Sequence, residues 1–245
     1  MKKIILGSII LLSTLSLSFE AVAAENENIE NTQIHQKIIN SNVRKNSDDS
    51  SMTDIKLNNL IITSEHPIES IDVELIDSLE KVTANIYSKG TSELIESFSE
   101  EKAPNNLIQS RAGTSTYNST VDARYRVGNN KSSIYVLASA DVNISAGTGW
   151  AQINKSPSKI WQSPDSSGDW VLKNKNQSVR NTTYPTTSLG LNIQGLVEIS
   201  KSVSTSMGFK FEVMEGMGFD MSGTTSTNWH ARKNYNSTVY IKTMW

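Results

Sequence analysis

The sequence predicts a mainly β protein: an antiparallel β-sandwich or small barrel over about residues 114–245, preceded by an acidic segment that is partly disordered and partly α-helical. Three observations support this fold class. Apolar and polar residues alternate through much of the second half. Short alternating runs are separated by turn signals rich in Gly, Pro and Asn. Charged and aromatic residues are also divided unevenly between the two halves.

Residues 1–24 have the form of a secretory signal peptide. An initial Met-Lys-Lys is basic, residues 4–19 are mainly apolar, and small residues favour cleavage near Ala23 or Ala24. The apolar run is too short for a membrane-spanning helix. We therefore expect a secreted, extracellular protein of bacterial type.

The remaining chain divides by charge at about residue 111. Residues 25–110 contain 16 acidic and 7 basic residues, a difference of −9, whereas residues 111–245 contain 8 acidic and 14 basic residues, a difference of +6. All five tryptophans lie in the second part. Because a segment poor in aromatic residues buries little surface, we expect a disordered acidic and polar tail over 25–58. An acidic helical segment or pro-region is expected over 59–110.

One or two amphipathic helices are predicted within that acidic segment. Asp77 and Glu80 resemble a capping box, and Gly90 can end the first helix. The apolar faces are Leu79, Val82 and Ile86 in the first helix, and Leu94, Ile95 and Phe98 in the second.

A two-residue period predicts strands throughout 111–245, the proposed β-sandwich domain. Residues 121–127 and 134–144 alternate on either side of a Gly-Asn-Asn-Lys turn and predict a hairpin. The longest alternating run covers 193–213. A helix is the competing interpretation, because some apolar residues there are also three or four apart. A strand is favoured because strong helix formers are scarce.

Tryptophans near turns, with lysines beside them, predict a surface-binding rim. Its residues are Trp150, Trp161, Trp170, Lys155, Lys159, Lys173 and Lys175. Such a rim suits an anionic partner, namely a cell-wall polymer, a glycan or lipid headgroups. The near-zero net charge of −2 gives no reason to expect a nucleic acid. The leading hypothesis is a secreted, non-enzymatic β protein that binds a cell envelope or membrane.

A pore-forming toxin is the first alternative. In that case residues 25–110 act as a pro-region, and a hairpin within 193–233 inserts into the membrane. Only this alternative predicts an oligomer. The inserting face would contain Val203, Met207, Phe209, Phe211, Met214, Met217, Phe219 and Met221.

The sequence shows few residues suited to catalysis. It has no cysteine and three histidines, far apart, and it lacks the phosphate-loop, nucleophile-elbow and zinc-protease motifs. We therefore expect neither an enzyme nor a bound metal or cofactor. The second alternative is a secreted hydrolase of wall polymers that uses carboxylates of the basic part.

Overall fold

A computed structural model describes residues 41–103, 113–166, 170–181, 183–200, 211–225 and 228–243. The chain divides into two compact units, residues 1–41 and residues 42–245. The predicted signal peptide and residues 25–40 of the predicted tail lie outside the described residues. Within the described ranges, no helix has both the length and the apolar content needed to cross a membrane.

The second unit is mainly β, as predicted. A 3₁₀ turn at Ile68–Ser70 follows the third strand, and a short α-helix, α1, covers Phe211–Gly216. In chain order, the strands are β1 (Val43–Lys45), β2 (Thr53–Lys56), β3 (Ile61–Ser64), β4 (Ile71–Asp77), β5 (Lys81–Ser88), β6 (Leu94–Glu101), β7 (Ser115–Arg126), β8 (Tyr135–Gly147), β9 (Trp150–Ile153), β10 (Ile160–Pro164), β11 (Val171–Val179), β12 (Ser188–Ser200), β13 (Asp220–Thr225) and β14 (Asn228–Lys242).

These strands form two curled antiparallel sheets of seven strands each. The first sheet has the order β1-β2-β3-β14-β12-β11, and β13 also pairs with β14. The second has the order β10-β8-β7-β6-β5-β4, and β9 also pairs with β8. Buried apolar residues from both sheets share one cluster: Val127, Ile134 and Val136 of the β7–β8 hairpin contact Val197, Ile199 and Ala231 of β12 and β14.

The hairpin predicted from residues 121–144 is confirmed as β7 and β8, which pair from Ser115 opposite Ala146 to Arg126 opposite Tyr135. The strand predicted over 193–213 is confirmed only to Ser200. Residues 201–210 lie outside the described residues, and the chain from Phe211 is helical. Helix α1 places Met214 in the core with no exposed surface, which the alternating pattern did not predict.

The two predicted helices are wrong, because residues 81–88 and 94–101 form β5 and β6. Val82 and Ile86 are both buried, as the helix required, but so is Ala84 between them. Residues four apart lie on one face of a helix and also on one face of a strand, so the spacing fits both structures. Leu79 is 88% exposed in the β4–β5 turn and belongs to no buried face.

The predicted tail is wrong for residues 43–58, which contain β1 and β2. Hydrogen bonds order this segment: the buried Asp54 accepts from Asn46 (2.8 Å) within it and from Thr63 (2.7 Å) on β3. Strands from both sides of the boundary predicted at residue 111 pair with each other: β6 pairs with β7, and β3 pairs with β14. Both sheets therefore combine strands from the acidic and the basic parts.

Gly128, after β7, gives a first test of this packing. Its φ is +104°, and a Cβ would lie 2.6 Å from the Met217 carbonyl oxygen, which already accepts a hydrogen bond from Asn129 N–H. We expect Gly128→Ala to lower the free energy of unfolding by about 2 kcal/mol more than Gly90→Ala. Gly90 is a matched control, since its φ is +91° but nothing lies within 4 Å of the added carbon. Urea denaturation measures both, and equal losses would contradict the predicted clash.

Candidate functional site

The structure separates the three tryptophans of the predicted rim. Trp170 is buried in the core, with 4% of its surface exposed. Trp161 is half-buried on β10, where the Lys159 ammonium lies 4.6 Å from its ring centre. Trp150 is 39% exposed beside the β8–β9 turn. Trp161 pairs with Ser139 and Trp150 with Gly147, eight positions apart on β8 and hence about 26 Å along the strand.

Of the four predicted lysines, Lys173 and Lys175 lie on β11, and Lys159 contacts Trp161 on β10. Lys155 is exposed in the β9–β10 connection. Lys173 forms an ion pair with Glu198 (2.5 Å), and Lys175 donates a hydrogen bond to the Gln162 carbonyl (3.4 Å). The rim is therefore not one surface, and Trp150 is its most exposed aromatic residue.

The described residues of the predicted inserting face lie mostly in the core. Met214, Met217 and Phe219 are at most 9% exposed, and Met221 packs against the same cluster. Phe211 begins α1. Val203, Met207 and Phe209 lie outside the described residues.

Trp150 borders an open cleft of about 410 Å³, which we call the Trp150 cleft. The indole packs so closely on Gly147 that a Cβ there would lie 2.5 Å from its Nε1. The cleft is lined by Lys56, Asn58, Asn59, Ile61, Gly147, Gly149, Trp150, Ala151 and Thr243. Ammonium, amide and indole groups from both sheets thus meet around one space.

A buried carboxylate accepts hydrogen bonds from the turn that forms the polar side of this cleft. Glu100 on β6 is fully buried and accepts hydrogen bonds from the backbone N–H groups of Asn58 (2.9 Å), Asn59 (3.1 Å) and Leu60 (3.0 Å). The Asn59 amide also donates to the Tyr117 hydroxyl. Burial raises the pKa of Glu100 to about 6, although the three N–H bonds oppose this shift. The β2–β3 turn is therefore fixed before any ligand arrives.

A second cleft, of about 390 Å³, is lined by another acid of β6. We call it the Glu96 cleft; it is lined by His66, Ser88, Thr91, Glu93, Ile95, Glu96, Tyr125, Arg126, Gly128, Asn129 and Asn130. Glu96 is 8% exposed. Its Oε2 accepts a hydrogen bond from Ser64 Oγ (2.8 Å), and its Oε1 lies 3.8 Å from His66 Nε2.

Burial shifts the pKa values of Glu96 and His66 in the Glu96 cleft. It raises the pKa of Glu96 to about 7, with the Ser64 hydrogen bond opposing this shift. Burial also lowers the pKa of His66, which Glu65 partly offsets. Below neutrality Glu96 is a proton donor, and above it Glu96 is a buried negative charge beside a neutral imidazole. An acid that titrates near pH 7 in a cleft can bind a cation or transfer a proton.

Sequence reasoning missed Glu96, Glu100, Asn58 and Asn59. A signal for the two acids was present, because Glu96, Phe98 and Glu100 alternate and therefore share one face of a strand. The helix predicted over Leu94, Ile95 and Phe98 places the two acids differently. The two asparagines carry no sequence signal beyond that of an ordinary turn.

The described residues contain no group of three or more His, Asp or Glu side chains placed to hold a metal ion. Comparison with known proteins adds no assignment to either cleft. No family model matches the chain, and neither does any curated protein or solved structure.

Proposed function

We propose that this is a secreted, non-enzymatic β protein that binds a cell envelope or membrane surface through the Trp150 cleft. The observation that carries the proposal is Trp150 itself, 39% exposed at a cleft lined by the side chains of Asn58, Asn59 and Lys56. Most large apolar side chains of the second unit are buried, so an exposed indole beside polar groups is consistent with a binding role.

The chemistry of the cleft favours an anionic glycan. A flat indole provides an apolar face for a sugar ring, and two asparagine amides can donate to and accept from hydroxyl groups. The Lys56 ammonium supplies a positive charge for a phosphate or carboxylate substituent. Because Glu100 fixes the turn that carries both asparagines, little conformational entropy is lost on binding.

The finer arrangement of the two sheets is part of the same proposal. We infer a β-sandwich rather than a closed barrel, because each sheet ends in its own edge strands. Shared apolar contacts, and the hydrogen bonds that Glu100 and Glu96 accept from Leu60 and Ser64, support this arrangement.

Co-sedimentation of the full mature chain with purified cell walls, and with anionic liposomes, at low ionic strength tests the binding. We expect binding to walls and at least a roughly tenfold loss with Trp150→Ala. Trp161→Ala is the matched control, because it removes the same kind of side chain from β10, at the other end of β8 from Trp150. Equal losses for the two variants, or no sedimentation of the unmodified chain, would contradict the proposal.

The alternatives predict different results with the same material. A pore-forming toxin should release dye from liposomes, and Met214, Met217 and Phe219 would have to leave the core to insert. A wall hydrolase should shorten its polymer during the sedimentation assay. The mass of the protein in culture medium tests secretion, since cleavage near Ala23 or Ala24 removes a defined segment.

A further inference from the structure

The Glu96 cleft contains a carboxylate that the described residues leave without a strong cationic partner. His66 is the basic side chain paired with Glu96 among those residues, and its Nε2 lies at 3.8 Å, beyond hydrogen-bond distance. The histidine is also neutral above mild acidity, because burial lowers its pKa. Glu96, which lines the cleft, therefore has no matching positive charge among the described residues.

Arg126 lines the same cleft, but its guanidinium is engaged elsewhere. It donates to the Asn130 carbonyl (2.8 Å) and to the Tyr135 hydroxyl (3.2 Å), and it lies 3.5 Å from Glu93 Oε2. It also donates to the Leu94 carbonyl. These contacts hold Arg126 against β6 and β8, so it cannot turn to Glu96 without breaking several of them.

A buried carboxylate is stable when a cation and hydrogen-bond donors compensate its charge. A ligand ammonium would do so at Glu96 Oε1, since it brings both a positive charge and N–H donors. Tyr125 pairs with Glu96 between β6 and β7 and also lines the cleft, and aromatic rings attract cations. The hydroxyl groups of Ser88 and Thr91, which also line the cleft, can bond hydroxyl groups of the same ligand.

We propose that the Glu96 cleft binds the primary ammonium group of a small polyhydroxylated molecule, such as an amino sugar or amino alcohol. The ammonium lies against Glu96, and the hydroxyl groups meet the polar residues of the opposite wall. This site is separate from the Trp150 cleft and does not depend on the proposed envelope binding.

Isothermal titration of the full mature chain tests this proposal with a matched pair of probes, glucamine and sorbitol, which differ by an amine in place of a hydroxyl. We expect saturable binding of glucamine and at least a roughly tenfold weaker response to sorbitol. Glu96→Gln should abolish the difference between the probes. Glu80→Gln removes the same charge at an exposed turn, and this variant should still bind glucamine more tightly than sorbitol. Equal affinity for both probes, or unchanged glucamine binding by Glu96→Gln, overturns the proposal.

The pH dependence supplies a second measurement that needs no variant. Glu96 is faced by Glu65, Glu93, His66, Tyr125 and Arg126, and it is the acid whose pKa lies near 7. Glucamine carries an alkyl amine that, like lysine, stays protonated up to about pH 9. Its affinity should therefore rise roughly tenfold between about pH 6 and about pH 8, with net proton release near neutrality. A constant affinity without proton release would overturn the proposal.

Discussion

Truncation of Glu100 to alanine should lower the free energy of unfolding by about 3 kcal/mol. The fully buried carboxylate accepts hydrogen bonds from three consecutive backbone N–H groups, those of Asn58, Asn59 and Leu60. Without it the buried Leu60 N–H stays unbonded, at a cost of about 1–3 kcal/mol, and the half-buried N–H groups of Asn58 and Asn59 lose their acceptor at a smaller cost. Relief of the carboxylate's own desolvation offsets part of that loss. Urea denaturation near neutral pH measures the difference.

Glu100→Gln is the matched control for this prediction. Its amide keeps one oxygen that can accept from Asn58 and Leu60, and it carries no charge to bury. We expect the glutamine variant to lose less than about 1 kcal/mol. If the alanine and glutamine variants have equal free energies of unfolding, the three N–H bonds do not stabilise the β2–β3 turn. The alanine variant should also weaken envelope binding, because that turn forms one wall of the Trp150 cleft.

Mild acid should stabilise the protein, and Glu96→Gln should remove the larger part of this effect and leave the part due to Glu100. The pKa of Glu96 is about 7 in the folded chain against an ordinary value of 4.5, so the folded state binds more protons between these two pH values. The resulting stability is fully present below about pH 4.5 and is lost as the pH rises through about 7. Near pH 8, Glu96→Gln should therefore be more stable than the unmodified chain by about 3 kcal/mol.

Thermal or urea unfolding between about pH 5 and about pH 8 measures this dependence. The two proteins should converge in stability toward the acid end of the range. The lowered pKa of His66 acts in the opposite direction below about pH 6.5, but it does so in both proteins and largely cancels in the difference. Parallel pH profiles would contradict a raised pKa at Glu96, and Glu80→Gln controls for the loss of one charge.

These two acids lie on one strand but have different consequences. Glu100 is bonded by three donors and stabilises a turn, whereas Glu96 faces a cleft with a single close hydrogen bond from Ser64. A carboxylate that lowers stability near neutral pH and faces a cleft is typical of a binding site rather than of a core.

Local patterns determined much of the β architecture. The alternation in residues 121–144 predicted the β7–β8 hairpin, because strict alternation over so many residues fits only a strand with one buried face. The scarcity of helix formers likewise favoured a strand from residue 193, which is confirmed as the second part of β12. These features depend on neighbouring residues, which the sequence displays directly.

Only the tertiary structure decided which residues meet. Val82 and Ile86 fit a helix and a strand equally well, and pairing of β5 with β4 and β6 selected the strand. The net charges of the two parts predicted a boundary at residue 111, but hydrogen bonds between β6 and β7 and between β3 and β14 cross it. Trp150 and Trp170 look alike in sequence, yet one is exposed and the other is buried. Burial and pairing depend on residues far apart in the chain, so composition and spacing alone could predict neither the two clefts nor the acids that line them.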